Sequence, residues 1–249
     1  MRLNYAIEGL LLGIFMVVAS LVGIMLYSGL SPFDLPWNAT VKRFVAGCTM
    51  GLTAMALIYS PLGRRSGAHL NPAVSLAFLY LKKIEPRHAF GYVIAQFAGA
   101  SLGVGLAAFL WGSALRAPTV RYAATTPGTR GALAALVAEA LISFVLMSVV
   151  LRASNTLRLA RFTGVFAGIL IATYITFEAP ISGMSMNPAR TFGSNVFAMA
   201  WSSYWVYVLG PCAGMLGAAA LFRATGGRAR CAKLMHDGAG PCAFSSCEY

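Results

Sequence analysis

Residues 66–73 and 182–189 read Ser-Gly-x-x-x-Asn-Pro-Ala twice, 116 residues apart in a chain of 249. Proline suits the first position of a helix, where its missing N–H would have had no partner. Asparagine is among the best residues to cap that helix. Each Asn-Pro therefore reads as a helix start, which exposes free N–H groups, the positive end of the helix dipole and an amide side chain. Such a site can hydrogen-bond a neutral polar molecule and repel a cation, but it cannot break a bond. Arg190 follows the second box and adds a fixed positive charge with several N–H donors. Glu8 and Glu139 stand inside apolar runs, where an acid faces the protein interior and needs partners. His69 adjoins the first box with no second histidine or carboxylate near it in sequence, and the chain has no nucleotide-binding loop. No catalytic constellation follows, so the chemistry is not that of an enzyme. His69 reads as a vestibule or loop-bracing residue.

A second cluster lies near the end of the chain. Cys231, His236, Cys242 and Cys247 are soft ligands spaced C-x4-H-x5-C-x4-C, a pattern that matches no standard zinc motif. Two readings stand open: a tetrahedral zinc site, or a disordered, weakly basic tail with incidental cysteines. Apart from that zinc the sequence calls for no cofactor. Cys48 and Cys212 sit in apolar runs as packing residues.

The elements that hold these residues are set by composition. The chain is 58% hydrophobic and 10% charged, with a mean hydropathy of +0.72, whereas a soluble domain is about a quarter charged. That excludes a soluble globule and a disordered chain. A spanning helix needs about 20 apolar residues, and six stretches supply them: 5–30, 44–62, 88–115, 131–151, 162–177 and 201–222. The first is too long for a signal peptide and carries Glu8, so it reads as an uncleaved span. The net charge of +12 would suggest nucleic acid in a soluble protein. Here the basic residues flank apolar runs and report topology instead. Thirteen of the 19 collect on one face and five on the other, which places both termini in the cytoplasm. Arg190 belongs to neither face.

Two apolar segments, 66–81 and 182–197, are too short to span and contain the boxes. Each reads as a half-helix of about 15 Å that reaches the bilayer middle. Three spans per half is an odd number, so the second half is inverted relative to the first. Matched short segments in inverted halves mark a pore or binding site. The five Gly-x-x-x-Gly pairs read as close crossings between helices of one bundle.

The doubled, inverted box resembles the major intrinsic protein family, the aquaporins and glycerol facilitators, over about residues 5–223. The resemblance implies an all-α membrane protein of six transmembrane helices plus two re-entrant half-helices. The channel domain would be residues 1–225, with repeats at about 1–115 and 131–225 and a cytoplasmic tail at 226–249. It implies Asn71, Pro72, Ala73, Asn187, Pro188 and Ala189 at the pore centre, and Glu8 and Glu139 bracing the boxes. Arg190 then takes the filter position, with Ile175, Met184 and either Met50 or Gly51. No aromatic or histidine stands among these, which favours solutes larger than water. The Tyr207-Val208 and Gly210-Pro211 pattern resembles the nodulin-like branch and its bacterial relatives.

The implied activity is a passive channel for water, glycerol-like polyols or metalloid acids that excludes protons and ions. Its partners would be the lipid bilayer and small neutral solutes, without nucleic acid, in a homotetramer of the plasma or bacterial inner membrane. A secondary active transporter and a closed-pore structural membrane protein are the alternatives. Glu178, at the end of the fifth span, has two readings: an interfacial acid paired with a loop arginine, or a vestibule residue bonded near Met184 and Arg190.

Overall fold

The computed structural model describes residues 1–29, 37–236 and 242–248. Leu30 of the first expected span and part of the tail lie outside them. Among the described residues the chain is helical, without strands. Six long apolar helices are α1 (Arg2–Tyr27), α2 (Ala39–Tyr59), α5 (Pro86–Arg116), α6 (Gly131–Ser154), α7 (Thr163–Phe177) and α10 (Tyr204–Ala224). Four short helices carry the boxes: α3 (Pro61–Ser66), α4 (Pro72–Tyr80), α8 (Ala179–Ser182) and α9 (Pro188–Ala198).

The second span differs from the expected 44–62 at both ends. Asn38 begins it early, its side chain accepting from the Val41 N–H at 2.9 Å. Pro61 ends it at Tyr59, because the residue before a proline avoids helical geometry and Ser60 is extended (ψ 153°). Leu62 therefore belongs to α3.

The long helices pair α1 with α5, α2 with α7 and α6 with α10. The crossings are tight: a Cβ on Gly99 of α5 would overlap the Gly9 backbone of α1, and one on Gly51 of α2 would overlap the Gly168 carbonyl of α7. These are the Gly-x-x-x-Gly positions, and here they join helices of one chain. Only 28–44% of each span is buried within the chain. The remaining apolar surface, with Leu102, Phe109 and Leu133 at its most exposed points, must face something other than water.

The two halves repeat the same device. α3 and α8 each end on a glycine in the left-handed region, Gly67 at φ 102° and Gly183 at φ 84°. A short irregular stretch then leads to an extended asparagine and into α4 or α9. Both half-helices start at the prolines of the boxes, and their N-termini meet in the middle of the bundle.

Candidate functional site

Each asparagine of the boxes caps its own half-helix and reaches across to the other. Asn71 Oδ1 accepts from the Ala73 N–H at 2.9 Å; Asn187 Oδ1 accepts from the N–H groups of Ala189 and Arg190 at 3.1 and 3.2 Å. Asn71 Nδ2 donates to the Met186 carbonyl at 2.7 Å, and Asn187 Nδ2 donates to the Leu70 carbonyl at 2.7 Å. An amide nitrogen has two hydrogens. The crossed bond uses one, which leaves a single N–H on each asparagine for anything in the cavity.

The loops before the boxes are held by the two buried acids. Glu8 accepts from the Ser66 hydroxyl at 2.7 Å, the His69 and Leu70 N–H groups at 3.0 and 2.6 Å, and Gln96 Nε2 at 3.0 Å. Glu139 accepts from the Ser182 hydroxyl and the Ser185 and Met186 N–H groups, each at 2.7 Å. These bonds hold unusual backbone. Ala68, Leu70, Met184 and Met186 all have φ between 50° and 54°, a region most residues with a Cβ avoid. In that geometry the N–H groups turn towards the acids and the Leu70 and Met186 carbonyls towards the opposite asparagine.

Sequence reasoning missed the outer braces. Tyr92 donates to the Ser66 carbonyl and Tyr207 to the Ser182 carbonyl, both at 2.5 Å. The repeat Tyr92-Val93 with Ala98-Gly99 against Tyr207-Val208 with Ala213-Gly214 is the signal that could have found them. Gln96 falls where the second half has Pro211, so Glu8 has a side-chain donor that Glu139 lacks.

One cavity of about 140 Å³ passes these loops. Met50, Ile175, Met184 and Arg190 all line it, as do His69, Asn71 and Asn187. Of the two second-helix alternatives the structure places Met50 on the cavity, and Gly51 against α7. Pro72, Ala73, Pro188 and Ala189 are buried behind the asparagines at the starts of α4 and α9. Most of the wall is apolar. Arg190 Nη1 is buried without a hydrogen-bond partner in the protein, so a donor is available beside the cavity.

Glu178 stands at the end of α7, with both carboxylate oxygens buried. Its side chain is not among those lining the cavity and forms no ion pair among the described residues. α7 ends at Phe177 with Glu178 as its C-cap, and α8 starts at Ala179.

The described tail residues pack on the loop before the first box. His69 Nε2 lies 2.6 Å from the Ala232 carbonyl and Nδ1 lies 3.0 Å from Ser75 Oγ. A carbonyl only accepts, so Nε2 carries the hydrogen. The His69 ring stacks between Phe78 and Phe244, with centroids at 4.9 and 6.2 Å. The Leu234 N–H donates to the Gly67 carbonyl at 3.1 Å, and the Leu234 side chain lines the cavity. Lys83 pairs with Glu248 at 2.6 Å, and that hydrogen bond and charge hold the Glu248 carboxyl below its usual range. The structure also brings Cys231, His236, Cys242 and Cys247 together: one ligand atom from each lies within 4.8 Å of the others.

The sequence profile described as Major intrinsic protein matches residues 7–222. Aquaporin NIP1-4 of Oryza sativa subsp. japonica is 39% identical over 182 residues, 72% of this chain and 64% of that protein. The match therefore spans a little under two thirds of the rice relative. Probable aquaporin AqpM of Archaeoglobus fulgidus is 37% identical over 194 residues, 72% of this chain and 75% of that protein. The X-ray structure of the aquaglyceroporin from Plasmodium falciparum shares the fold, with a TM-score of 0.73 at 18% identity over 89% of this chain and 96% of that one.

Proposed function

The chain belongs to the major intrinsic protein family, and we propose that it is a passive channel carrying small uncharged solutes across the bilayer. The observation that carries this reading is the single cavity that joins the Met50, Ile175, Met184 and Arg190 wall to the crossed asparagines. It is a channel and not an enzyme. His69, the one lining residue that could act as a base, has both ring nitrogens engaged, and flow through the channel needs no cofactor.

The cavity wall is mainly apolar, so a solute can replace its lost hydration at only a few points. Arg190 and one N–H from each asparagine supply them. A neutral solute with several hydroxyls, such as a glycerol-like polyol or a metalloid acid, can use these in turn, and water can do the same. A cation or hydronium meets the Arg190 charge and then the positive ends of α4 and α9. The three apolar filter residues include two flexible methionines, which supports solutes larger than water.

The protein is an integral, multi-pass membrane protein with six apolar helices. The finer reading places it in the plasma or bacterial inner membrane as a homotetramer with one pore per subunit. The bias of basic residues supports cytoplasmic termini, and the exposed apolar helix faces support lipid and neighbouring subunits as their cover.

Stopped-flow light scattering on proteoliposomes tests the reading. Water and glycerol should both equilibrate faster than across empty liposomes, without dependence on an ion gradient. Rates equal to empty liposomes for water, glycerol and boric acid alike, with and without a membrane-permeant metal chelator, would overturn it.

A further inference from the structure

We propose that Cys231, His236, Cys242 and Cys247 hold one zinc-class divalent ion, and that this ion fixes the tail in the mouth of the cavity with Leu234 as the plug. The closure rests on the channel reading above; the ion site does not.

Three thiols and one imidazole are a donor set of structural zinc sites, which are tetrahedral and fully protein-ligated. With Zn–S about 2.3 Å and Zn–N about 2.0 Å, tetrahedral edges are about 3.8 Å between sulfurs and about 3.5 Å between sulfur and nitrogen. Cys231 Sγ and Cys242 Sγ lie 3.6 Å apart, and Cys247 Sγ and His236 Nε2 lie 3.3 Å apart. Two opposite edges of the tetrahedron are thus already near their bonded lengths. On the cytoplasmic side thiols stay reduced, so they remain free to ligate.

The position of the ligands in the chain links the ion to the cavity. Cys231 and His236 bracket the segment that enters the mouth: Ala232 bonds His69, Leu234 bonds Gly67, and the Leu234 side chain lines the cavity. Cys242 and Cys247 bracket Phe244, which stacks on the His69 ring. One ion therefore closes both loops, each presenting an apolar residue to the loop that carries the first box. Ala232, Leu234 and Phe244 are all buried. Outside the ion site, the Arg230 N–H donates to Asn155 Oδ1 at 2.7 Å, and the Ser246 hydroxyl donates to the Lys83 carbonyl at 3.0 Å. These contacts set where the tail lies. The ion removes the freedom of a segment without regular secondary structure, so its loss lets Leu234 leave the mouth.

The test uses the full-length purified protein, with zinc alone as the probe. Elemental analysis should give one zinc per chain in the wild type and in Cys48→Ser, and a loss of bound zinc in Cys231→Ser and Cys247→Ser. In zinc-loaded proteoliposomes a membrane-permeant chelator should raise glycerol flux several-fold, reversed by added zinc. Leu234→Ala should raise flux to a similar extent with zinc still bound. Because the chelator acts on the wild type, the result does not depend on the cysteine variants folding.

Several results would overturn the proposal. Sub-stoichiometric zinc in the reduced wild type removes the ion site, as does finding Cys231 and Cys242 joined in a disulfide. Bound zinc with a flux above empty liposomes that neither chelation nor Leu234→Ala changes removes the closure. Bound zinc with flux at the empty-liposome level in every state, the Leu234 variant included, removes the channel reading and the closure together.

Discussion

Replacing Glu139 measures how much of the pore is held by one buried acid. Its two oxygens accept three hydrogen bonds, from the Ser182 hydroxyl and from the N–H groups of Ser185 and Met186. Glu139→Gln keeps the shape but turns one accepting oxygen into a donor. The hydroxyl can rotate and the backbone cannot, so one N–H is left without an acceptor, at a cost of about 1–3 kcal/mol. Glu139→Ala strands both N–H groups and leaves a void, which raises the cost to about 3–6 kcal/mol. Met186 also offers its carbonyl to Asn71, so a shift of this loop displaces the asparagine pair as well. Chemical unfolding in detergent micelles, followed by tryptophan fluorescence, should rank wild type above Glu139→Gln above Glu139→Ala. Glycerol flux should fall in the same order. If the alanine and glutamine variants lose equal stability, the acid is not acting as a multiple acceptor and the reasoning fails.

Arg190→Ala removes a charge worth about 4 kcal/mol against a cation at close range for an effective dielectric of about 20. Proton or cation leak, read with a pH-sensitive dye inside liposomes, should rise by up to about a thousandfold; an unchanged leak would place the barrier wholly on the half-helices. Gly99→Ala forces a Cβ into the Gly9 backbone and should cost about 1–3 kcal/mol in the same unfolding assay. Gly112→Ala, on the same helix with nothing within 4 Å, should be neutral or stabilising by about 0.5–1 kcal/mol. Tyr92→Phe and Tyr207→Phe each strip a hydrogen bond from a loop carbonyl and should each cost about 1–2 kcal/mol. A gap of more than about 1 kcal/mol between the two would show that the halves are not braced alike.

The long helices and the two boxes were legible because their signals are local. Apolar runs of spanning length and Asn-Pro at a helix start need nothing from elsewhere in the chain. The start of α2 at Ala39 was not, because the Asn38 cap precedes the apolar run by several residues. What the boxes do to one another was also hidden. The crossed bonds from Asn71 to Met186 and from Asn187 to Leu70 depend on carbonyls aimed by left-handed backbone at Ala68, Leu70, Met184 and Met186. None of these four is a glycine, so composition carried no mark of that geometry; it exists because Glu8 and Glu139 collect the N–H groups it turns inwards. Glu178 is hidden for a different reason: whether an acid in an apolar run lines the cavity turns on where its helix stops, and α7 stops at Phe177 with Glu178 outside the lining. The tail has no periodicity to read, and its cysteines matched no spacing rule, since the ligands are brought together by contacts with His69, Asn155 and Lys83.

The scaffold is close to symmetric, and its function follows from the few positions where the halves differ. In register, Val74 of the first half corresponds to Arg190 of the second, and His69 corresponds to Ser185. The polar contact behind the first box is repeated behind the second: His69 Nδ1 lies 3.0 Å from Ser75 Oγ, as Ser185 Oγ lies 2.5 Å from Thr191 Oγ1. A serine spends its short side chain on that local contact. The imidazole makes the same contact with one nitrogen and still has the other, on the far side of the ring, to bind Ala232 of the tail. Exchanging one residue in each half thus gives the two mouths different work. Arginine for valine places a charge and an unpartnered donor at one end, where the proposed channel would sort its solutes. Histidine for serine provides an outward-facing donor at the other, where the tail seats Leu234. His69→Ser should therefore keep the loop, because the serine hydroxyl can take the local role seen in the second half, and release the tail. Glycerol flux should then rise in zinc-loaded liposomes while zinc stays bound. A closed, zinc-bound His69→Ser channel would mean that the ion alone positions the plug.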